Sequence, residues 1–141
     1  MLKSIKVRDY MTRRLVTFRS DTDLFLAIDR LLEHRISGAP VVDSQGHLIG
    51  MISDGDCLRG ILSGAYYEEV GGSVSGYMST QVETISPEAD IIEVCQRFLR
   101  DKRRRFPVVE GGVLVGQISR RDVLRAVKAF AQHDPGQPPE V

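Results

Sequence analysis

The stretch Ala39-Pro-Val-Val-Asp43 returns 67 positions later as Phe106-Pro-Val-Val-Glu110. Further along, Gly50-Met-Ile-Ser53 returns as Gly116-Gln-Ile-Ser119, with the offset reduced to 66 by one deletion in the intervening turn. Matches before these stretches share the offset of 67: Val7, Tyr10, Met11, Thr17, Asp23 and Leu32 recur as Val74, Tyr77, Met78, Thr84, Asp90 and Leu99. A period of this length indicates two copies of one supersecondary unit, which bury a shared face when they stack.

Each copy predicts the same order of elements. An extended stretch comes first and is followed by an amphipathic helix, for which Ser20 and Ser86 are the predicted N-caps. A hairpin comes next, with its turn at residues 44–46 in the first copy and at 111–112 in the second. A second helix closes each copy. The predicted fold class is therefore α+β, built from two β-α-β-β-α repeats.

The boundaries follow from the same alignment. We predict a first repeat over residues 1–62, a linker over 63–73, a second repeat over 74–131 and a disordered tail over 132–141. The tail is rich in proline and polar residues, which cannot bury enough apolar surface to fold. Tyr66-Tyr67 in the glycine-rich linker is expected to pack on the surface.

Composition excludes several classes of function. The 141 residues include 19 basic and 19 acidic side chains, so there is no overall field that would attract nucleic acid or an anionic membrane. The sequence contains no apolar run of the ~18 residues that a membrane span needs. Residues 1–7 lack the apolar stretch of a signal peptide, which predicts a cytoplasmic location. Two cysteines and three scattered histidines have no metal-binding spacing, so no metal is predicted.

Ser53-x-x-Asp56 and Ser119-x-x-Asp122 follow a predicted strand and begin a predicted helix. One interpretation is a capping box, in which the serine and the acid satisfy each other's backbone N–H groups. The other is ligand binding, because a helix N-terminus attracts phosphate and a carboxylate can accept hydrogen bonds from ribose hydroxyls. Both interpretations use the same geometry, and the residues alone leave them open.

The segment before each hairpin differs between the copies. In the first copy it is small and flexible, comprising Ile36, Ser37, Gly38, Ala39 and Pro40, so that backbone groups could approach a purine edge. A helix-to-strand turn with a glycine cap is the simpler interpretation. In the second copy the segment reads Lys102, Arg103, Arg104, Arg105, Phe106 and Pro107. Such cations either form a solvated helix end or bind phosphate, for which the planar arginine fork is well suited.

These repeats resemble a tandem pair of cystathionine-β-synthase-type (CBS) domains, also called a Bateman module. The matching stretches are residues 7–12, 35–43 and 50–56, together with their second-copy equivalents. The resemblance implies repeats packed sheet to sheet with pseudo-twofold symmetry. It also implies two clefts that take adenosine derivatives, such as AMP, ADP, ATP or S-adenosylmethionine, with NAD as a further candidate.

The resemblance assigns ribose binding to Asp56 and Asp122 and a nucleotide contact to Thr17 and Thr84. Each cleft is expected to draw on both repeats. The first combines Thr17, residues 36–40, Ser119, Arg120 and Asp122. The second combines Thr84, residues 103–107, Ser53 and Asp56.

We therefore expect a stand-alone regulatory module that binds an adenine nucleotide, forms a homodimer and signals to an effector protein that the sequence does not identify. The alternative is a scaffold or dimerisation module with empty clefts, in which Ser-x-x-Asp only caps helices. An enzyme is not predicted, because the serines have no plausible histidine base and no phosphate loop has the Walker spacing. Four cations without interleaved aromatic residues, on a neutral chain, argue against nucleic acid as a partner.

Overall fold

The computed structural model describes residues 1–66 and 71–133. The predictions made for the side chains of Tyr66 and Tyr67 and for the tail from residue 134 lie outside the described part. Within it, helix α3 continues to Tyr66, four residues into the stretch predicted as the linker.

The α+β class is confirmed, since each copy contains a helix, two strands and a second helix. In the first copy these are α2 (Leu24–Glu33), β1 (Gly38–Val42), β2 (Leu48–Ser53) and α3 (Asp54–Tyr66). In the second copy they are α4 (Ile91–Asp101), β3 (Arg105–Glu110), β4 (Val113–Ser119) and α5 (Arg120–His133). A short helix α1 (Val7–Tyr10) precedes the first copy, and 3₁₀ turns cover Leu2–Ser4 and Val74–Gly76.

The strands form two separate two-stranded sheets, β1 with β2 and β3 with β4. Strands β1 and β2 are antiparallel, with Gly38 opposite Ser53 at the end where the site residues lie. The extended stretch predicted ahead of each first helix contributes only one parallel bridge to its sheet, from Phe18 in the first copy and from Ile85 in the second.

The predicted N-caps were wrong. Helix α2 begins after Asp23, whose carboxylate accepts from the backbone N–H groups of Phe25 and Leu26. Helix α4 begins after Asp90, whose carboxylate accepts from Glu93 N–H at 2.9 Å. An aspartate competes well for a cap because it carries a full negative charge beside the positive end of the helix. The serine of the second copy, Ser86, instead accepts from the N–H of Glu88 in a turn ahead of the helix.

The chain divides into two compact units that do not coincide with the two copies. One unit contains residues 1–14, 83–111 and 115–141, and we call it the second-copy unit because it holds α4 and α5. The other contains residues 15–82 and 112–114 and holds α2 and α3, so we call it the first-copy unit. Each unit therefore includes the opening segment of the other copy, which is residues 1–14 in the second-copy unit and residues 74–82 in the first-copy unit.

Two glycines make room for these opening segments. A Cβ on Gly116 would lie 2.7 Å from the sulfur of Met11, inside the second-copy unit. A Cβ on Gly50 would lie 2.9 Å from both the sulfur of Met78 and the carbonyl oxygen of Ser79, inside the first-copy unit. Real Cβ contacts are never this short, so the close packing of each opening segment explains why glycine recurs at this position in both copies.

Each unit has its own apolar core. The core of the second-copy unit includes the fully buried side chains Val7, Ile91, Val94, Phe106, Val108 and Ile118. The core of the first-copy unit includes Leu24, Ala27, Val41, Ile52 and Val74. In both lists an opening-segment residue, Val7 or Val74, packs with residues of the other copy.

Candidate functional site

Both Ser-x-x-Asp sequences form complete capping boxes. The N–H of Ser53 donates to Asp56 Oδ2 at 2.9 Å, and the N–H of Asp56 donates to Ser53 Oγ at 3.1 Å. The same two bonds join Ser119 and Asp122, at 2.8 and 3.2 Å. The carboxyl groups are nearly buried, since Asp56 and Asp122 are only 8% and 7% exposed. The capping interpretation is thus confirmed, and it uses one oxygen of each carboxylate.

The second oxygen of each carboxylate meets an arginine one helical turn further along. Arg125 Nη2 donates to Asp122 Oδ1 at 2.6 Å, and Arg59 Nη2 donates to Asp56 Oδ1 in the same way. Ser79 Oγ also lies 3.5 Å from the Asp56 oxygen. The two arginines are largely exposed, at 73% for Arg59 and 61% for Arg125. Arg125 Nη2 also donates to the carbonyl of Tyr10, at 3.4 Å. The second oxygen of each acid, which we call the outer oxygen, is therefore held by a largely exposed side chain.

Backbone bonds in the first-copy unit bring three predicted site segments together. Asp54, which begins α3, donates its N–H to the carbonyl of Ser37 at 2.7 Å. Phe18, which follows Thr17, donates its N–H to the carbonyl of Pro40 at 3.0 Å. Because β1 and β2 are antiparallel, the start of β1 and the end of β2 lie at the same end of the sheet. Residues 36–40 thus contact both the start of α3, where the capping box of Asp56 lies, and Phe18, the residue after Thr17.

The second-copy unit repeats this arrangement with different side chains. The N–H of Arg120 donates to the carbonyl of Arg104 at 3.2 Å, and the N–H of Ile85 donates to the carbonyl of Pro107 at 3.0 Å. Thr84, residues 104–107 and the capping box of Asp122 are brought together in this unit. The predicted partnership of each set with residues of the other copy stays a prediction.

The cations of the second copy border a depression of about 480 Å³. Its lining comprises Lys102, Arg104, Arg105, Gln117, Ser119, Arg120 and Arg121. Five of these seven side chains are basic. The depression joins arginines and a capping serine that the sequence had assigned to different clefts, and its charge suits an anionic ligand.

Arg120 uses part of its guanidinium to hold neighbouring backbone. Its Nε donates to the carbonyl of Arg103 at 2.7 Å and its Nη2 to the carbonyl of Phe98 at 3.1 Å. Carbonyls at the end of a helix need such donors, because they have no partner within the helix. Two of its five N–H groups are used in this way, so Arg120 fixes the end of α4 beside the basic depression.

Arg97 is a site residue that the sequence analysis missed. Its Nη1 donates to the carbonyl of Thr84 at 2.6 Å, and its guanidinium lies 4.8 Å from the centre of the Phe106 ring. Ion pairs with Glu83 at 3.9 Å and Asp101 at 3.8 Å complete its surroundings. Arg97 therefore fixes two residues of the predicted ligand set, Thr84 and Phe106, relative to each other.

The repeat itself contained the signal for these arginines. Arg97 has the offset of 67 from Arg30, and Arg125 has the offset of 66 from Arg59. A charged residue that occurs in both copies indicates a specific role, because a charged residue on a solvated face can be replaced at little cost to stability. Arg30, however, is exposed and pairs only loosely, with Glu33 at 4.0 Å. Among these two equivalent arginines, only Arg97 is partly buried and pairs with two acids in the described residues.

The remaining chemistry of the described residues is limited. Burial raises the pKa of the Cys57 thiol, and the neighbouring Asp56 carboxylate adds to the effect, which suits a core residue rather than a nucleophile. Residues 1–66 and 71–133 contain no group of three side chains that could ligate a metal. No helix in the same ranges has the length and apolar character to cross a bilayer.

Comparison with known proteins identifies the family. The sequence model of the CBS domain matches residues 7–63 and 74–129, in register with the two copies. The chain belongs to the CBS-domain family. A CBS pair of this kind is seen in CBSX2 from Arabidopsis thaliana, solved in complex with AMP, which is 29% identical with a TM-score of 0.79. The match covers 89% of this chain and 98% of the CBSX2 chain in that structure.

Other CBS relatives are longer proteins. The uncharacterized protein MJ1225 of Methanocaldococcus jannaschii is 30% identical over 84% of this chain and 41% of its own length. The A-adding tRNA nucleotidyltransferase of Aquifex aeolicus is 32% identical over 88% of this chain but only 14% of its own length. The chain thus spans less than half of these curated relatives, and CBS pairs occur both alone and within enzymes.

Proposed function

We propose that this CBS pair is a regulatory module that binds an adenine nucleotide at its two capping boxes and signals the bound state to a partner protein. Asp56 and Asp122 accept ribose hydroxyls, and the adjoining helix N-termini and cations bind phosphate. AMP is the first ligand to test, because it is the ligand in the CBSX2 complex. ADP, ATP, S-adenosylmethionine and NAD follow.

The observation that carries the proposal is the duplicated, nearly buried carboxylate. In each unit, backbone bonds at Ser37 or Arg104 link the segment before the hairpin to the start of the closing helix, and bonds at Pro40 or Pro107 link it to the residue after the threonine. A capping role alone needs no burial and no neighbouring cation cluster. The basic depression beside Ser119 supplies the charge that a phosphate would need.

Signalling follows from differential binding. A ligand shifts a conformational equilibrium only by as much as its affinities for the two states differ. Coupling between sites is typically about 1–3 kcal/mol, which is enough to change a partner's affinity severalfold or more. No catalytic step is needed, and none is proposed.

Nucleotide binding should depend on the two acids. AMP at about 100 times its Kd should raise the free energy of unfolding by about 2.7 kcal/mol, measured as a rise in melting temperature of several degrees. Asp56→Asn and Asp122→Asn should each weaken AMP binding at one site by about tenfold or more, because each removes a charge-assisted bond. Calorimetry on both variants measures this loss.

Asparagine is the informative substitution, since its amide oxygen can still accept from the serine N–H and keep the helix capped. The substitution also removes the ion pair with Arg59 or Arg125, which is worth less than about 1 kcal/mol because these arginines are exposed. Both variants should therefore melt within a few degrees of the wild type without ligand. A lower melting temperature combined with unchanged AMP affinity would assign the acids to capping alone. Failure of the wild type to bind any of the five ligands would favour the scaffold.

We further propose that the module is a homodimer, because large apolar side chains are exposed on the second helix of each copy. Leu58 and Leu62 on α3 are 68% and 74% exposed, and Leu124 on α5 is 69% exposed. Leu99 on α4 is 75% exposed, beside a depression of about 280 Å³ lined by apolar side chains and Arg120. Exposed apolar side chains grouped in this way within a unit are typical of protein interfaces.

Light scattering should give about twice the monomer mass of 15.7 kDa. Leu124→Asp should shift the mass towards the monomer, since burying an unpaired charge in an interface is costly. Leu26→Asp is the matched control, because Leu26 is 47% exposed but lies on α2, outside the proposed interface. A wild-type mass near 15.7 kDa would contradict the proposal.

A further inference from the structure

Arg59 and Arg125 contact the same carboxylate oxygens that the proposed function assigns to ribose. Each Oδ2 is committed to the N–H of its capping serine, at 2.9 Å in Asp56 and 2.8 Å in Asp122. Each Oδ1 accepts from the arginine three residues later. Each carboxylate oxygen can accept more than one hydrogen bond, but a ribose diol that binds both oxygens of either acid must reach the one that already has an arginine on it.

The two sites share this arrangement although their other side chains differ. In the unit of Asp56 the segment before the hairpin is small and uncharged, whereas in the unit of Asp122 it is strongly basic. The arginine nevertheless stands at the same helical position in both units and donates through the same nitrogen. A pair that recurs in such different surroundings indicates a role tied to the acid itself.

We infer that Arg59 and Arg125 compete with the ribose hydroxyls for the aspartate oxygens. The two arginines thereby lower the affinity of each site for nucleosides. In the ligand-free protein each arginine occupies the outer oxygen of its aspartate, and ligand binding displaces it into solvent. This inference rests on the proposed function, since it needs the acids to bind ribose. The apparent Kd is then the intrinsic Kd divided by the fraction of molecules with the oxygen open.

Exposure of the arginines sets the size of the effect. Because both side chains are more than half exposed, their ion pairs are screened by solvent. Exposed pairs of this kind change an equilibrium by roughly two- to fivefold. The arginines therefore lower the affinity modestly, and the effect depends on ionic strength.

Adenosine is the probe that separates this competition from phosphate binding, because it is neutral. The double variant Arg59→Ala/Arg125→Ala should bind adenosine about two- to fivefold more tightly than the wild type at low salt. Raising sodium chloride from about 0.01 M to about 1 M shortens the screening length from about 30 Å to about 3 Å. Adenosine affinity of the wild type should rise over this range towards that of the double variant, which should stay constant.

Arg30→Ala is the matched control, because Arg30 is an exposed arginine on α2 that pairs with an acid three residues away, Glu33, at 4.0 Å. It should leave adenosine affinity and its salt dependence as in the wild type. Titrations followed by nuclear magnetic resonance can measure Kd values in the millimolar range, so weak adenosine binding is also detected. Thermal melts of each variant verify that it is folded.

The inference is overturned if the double variant binds adenosine no better than the wild type, or if wild-type affinity does not rise with salt. AMP binding without any measurable adenosine binding would also overturn it, because the acids would then contribute too little for competition to matter. Failure of the proposed function is a different result: no ligand binds the wild type, or Asp56→Asn and Asp122→Asn leave AMP affinity unchanged.

Discussion

Replacing Phe106 with alanine should lower the free energy of unfolding by about 3–5 kcal/mol. The Phe106 ring is completely buried in the core of the second-copy unit, with its centre 4.8 Å from that of Phe98. Truncation would leave a cavity and would also remove the aromatic face on which Arg97 lies. We expect a fall in melting temperature on the order of 10 °C, measured by circular dichroism.

Phe25→Ala is the control for this prediction. Phe25 is 53% exposed on α2, so the same truncation should cost less than about 1 kcal/mol. Urea titration of both variants gives the two free energies under one set of conditions. A loss below about 1 kcal/mol in Phe106→Ala would mean that the ring is not the packing centre that its burial indicates.

Gly60→Ala should destabilise the protein although alanine is the better helix former. Alanine in place of glycine within a helix normally stabilises by about 1 kcal/mol. At Gly60, however, a Cβ would lie 1.9 Å from a ring carbon of Tyr77. That ring is held in place, since the Tyr77 hydroxyl donates to the carbonyl of Gly71 at 2.7 Å. We expect a net loss of about 1–3 kcal/mol, typical of overpacking.

Gly55→Ala in the same helix provides the comparison. The nearest atom to a Cβ on Gly55 is a terminal nitrogen of Arg59 at 3.3 Å, which is exposed and can move. This variant should be as stable as the wild type or slightly more so. If Gly60→Ala and Gly55→Ala had equal melting temperatures, the close approach of Tyr77 to α3 would be refuted.

Local patterns predicted much of the fold and part of the site. The two hairpin turns were correct because their geometry needs glycine, and Gly46, Gly111 and Gly112 all have positive φ. The capping boxes of Asp56 and Asp122 were correct because four consecutive residues contain the whole motif. These features depend only on neighbours in the chain, so the sequence records them directly.

Competition among neighbouring groups was harder to predict. Ser20 and Ser86 are good caps by residue type, yet Asp23 and Asp90 cap the helices because their charge gains more from the helix N-terminus. Arg97 is surrounded by groups that the sequence separates, from the carbonyl of Thr84 to the ring of Phe106. Its role was visible only once those groups were in contact.

The duplicated sequence by itself determined that this protein has two similar units, their helices and hairpins, and the acid at the start of each closing helix. Only the tertiary structure decided which opening segment completes which unit. Met11 packs on Gly116 and Met78 packs on Gly50, so each segment serves the core of the other copy. The physical reason is that Gly50 and Gly116 are equivalent positions, so either one could receive either opening segment by local pattern alone. The pairing depends on contacts between residues far apart in the chain, which a local pattern does not record.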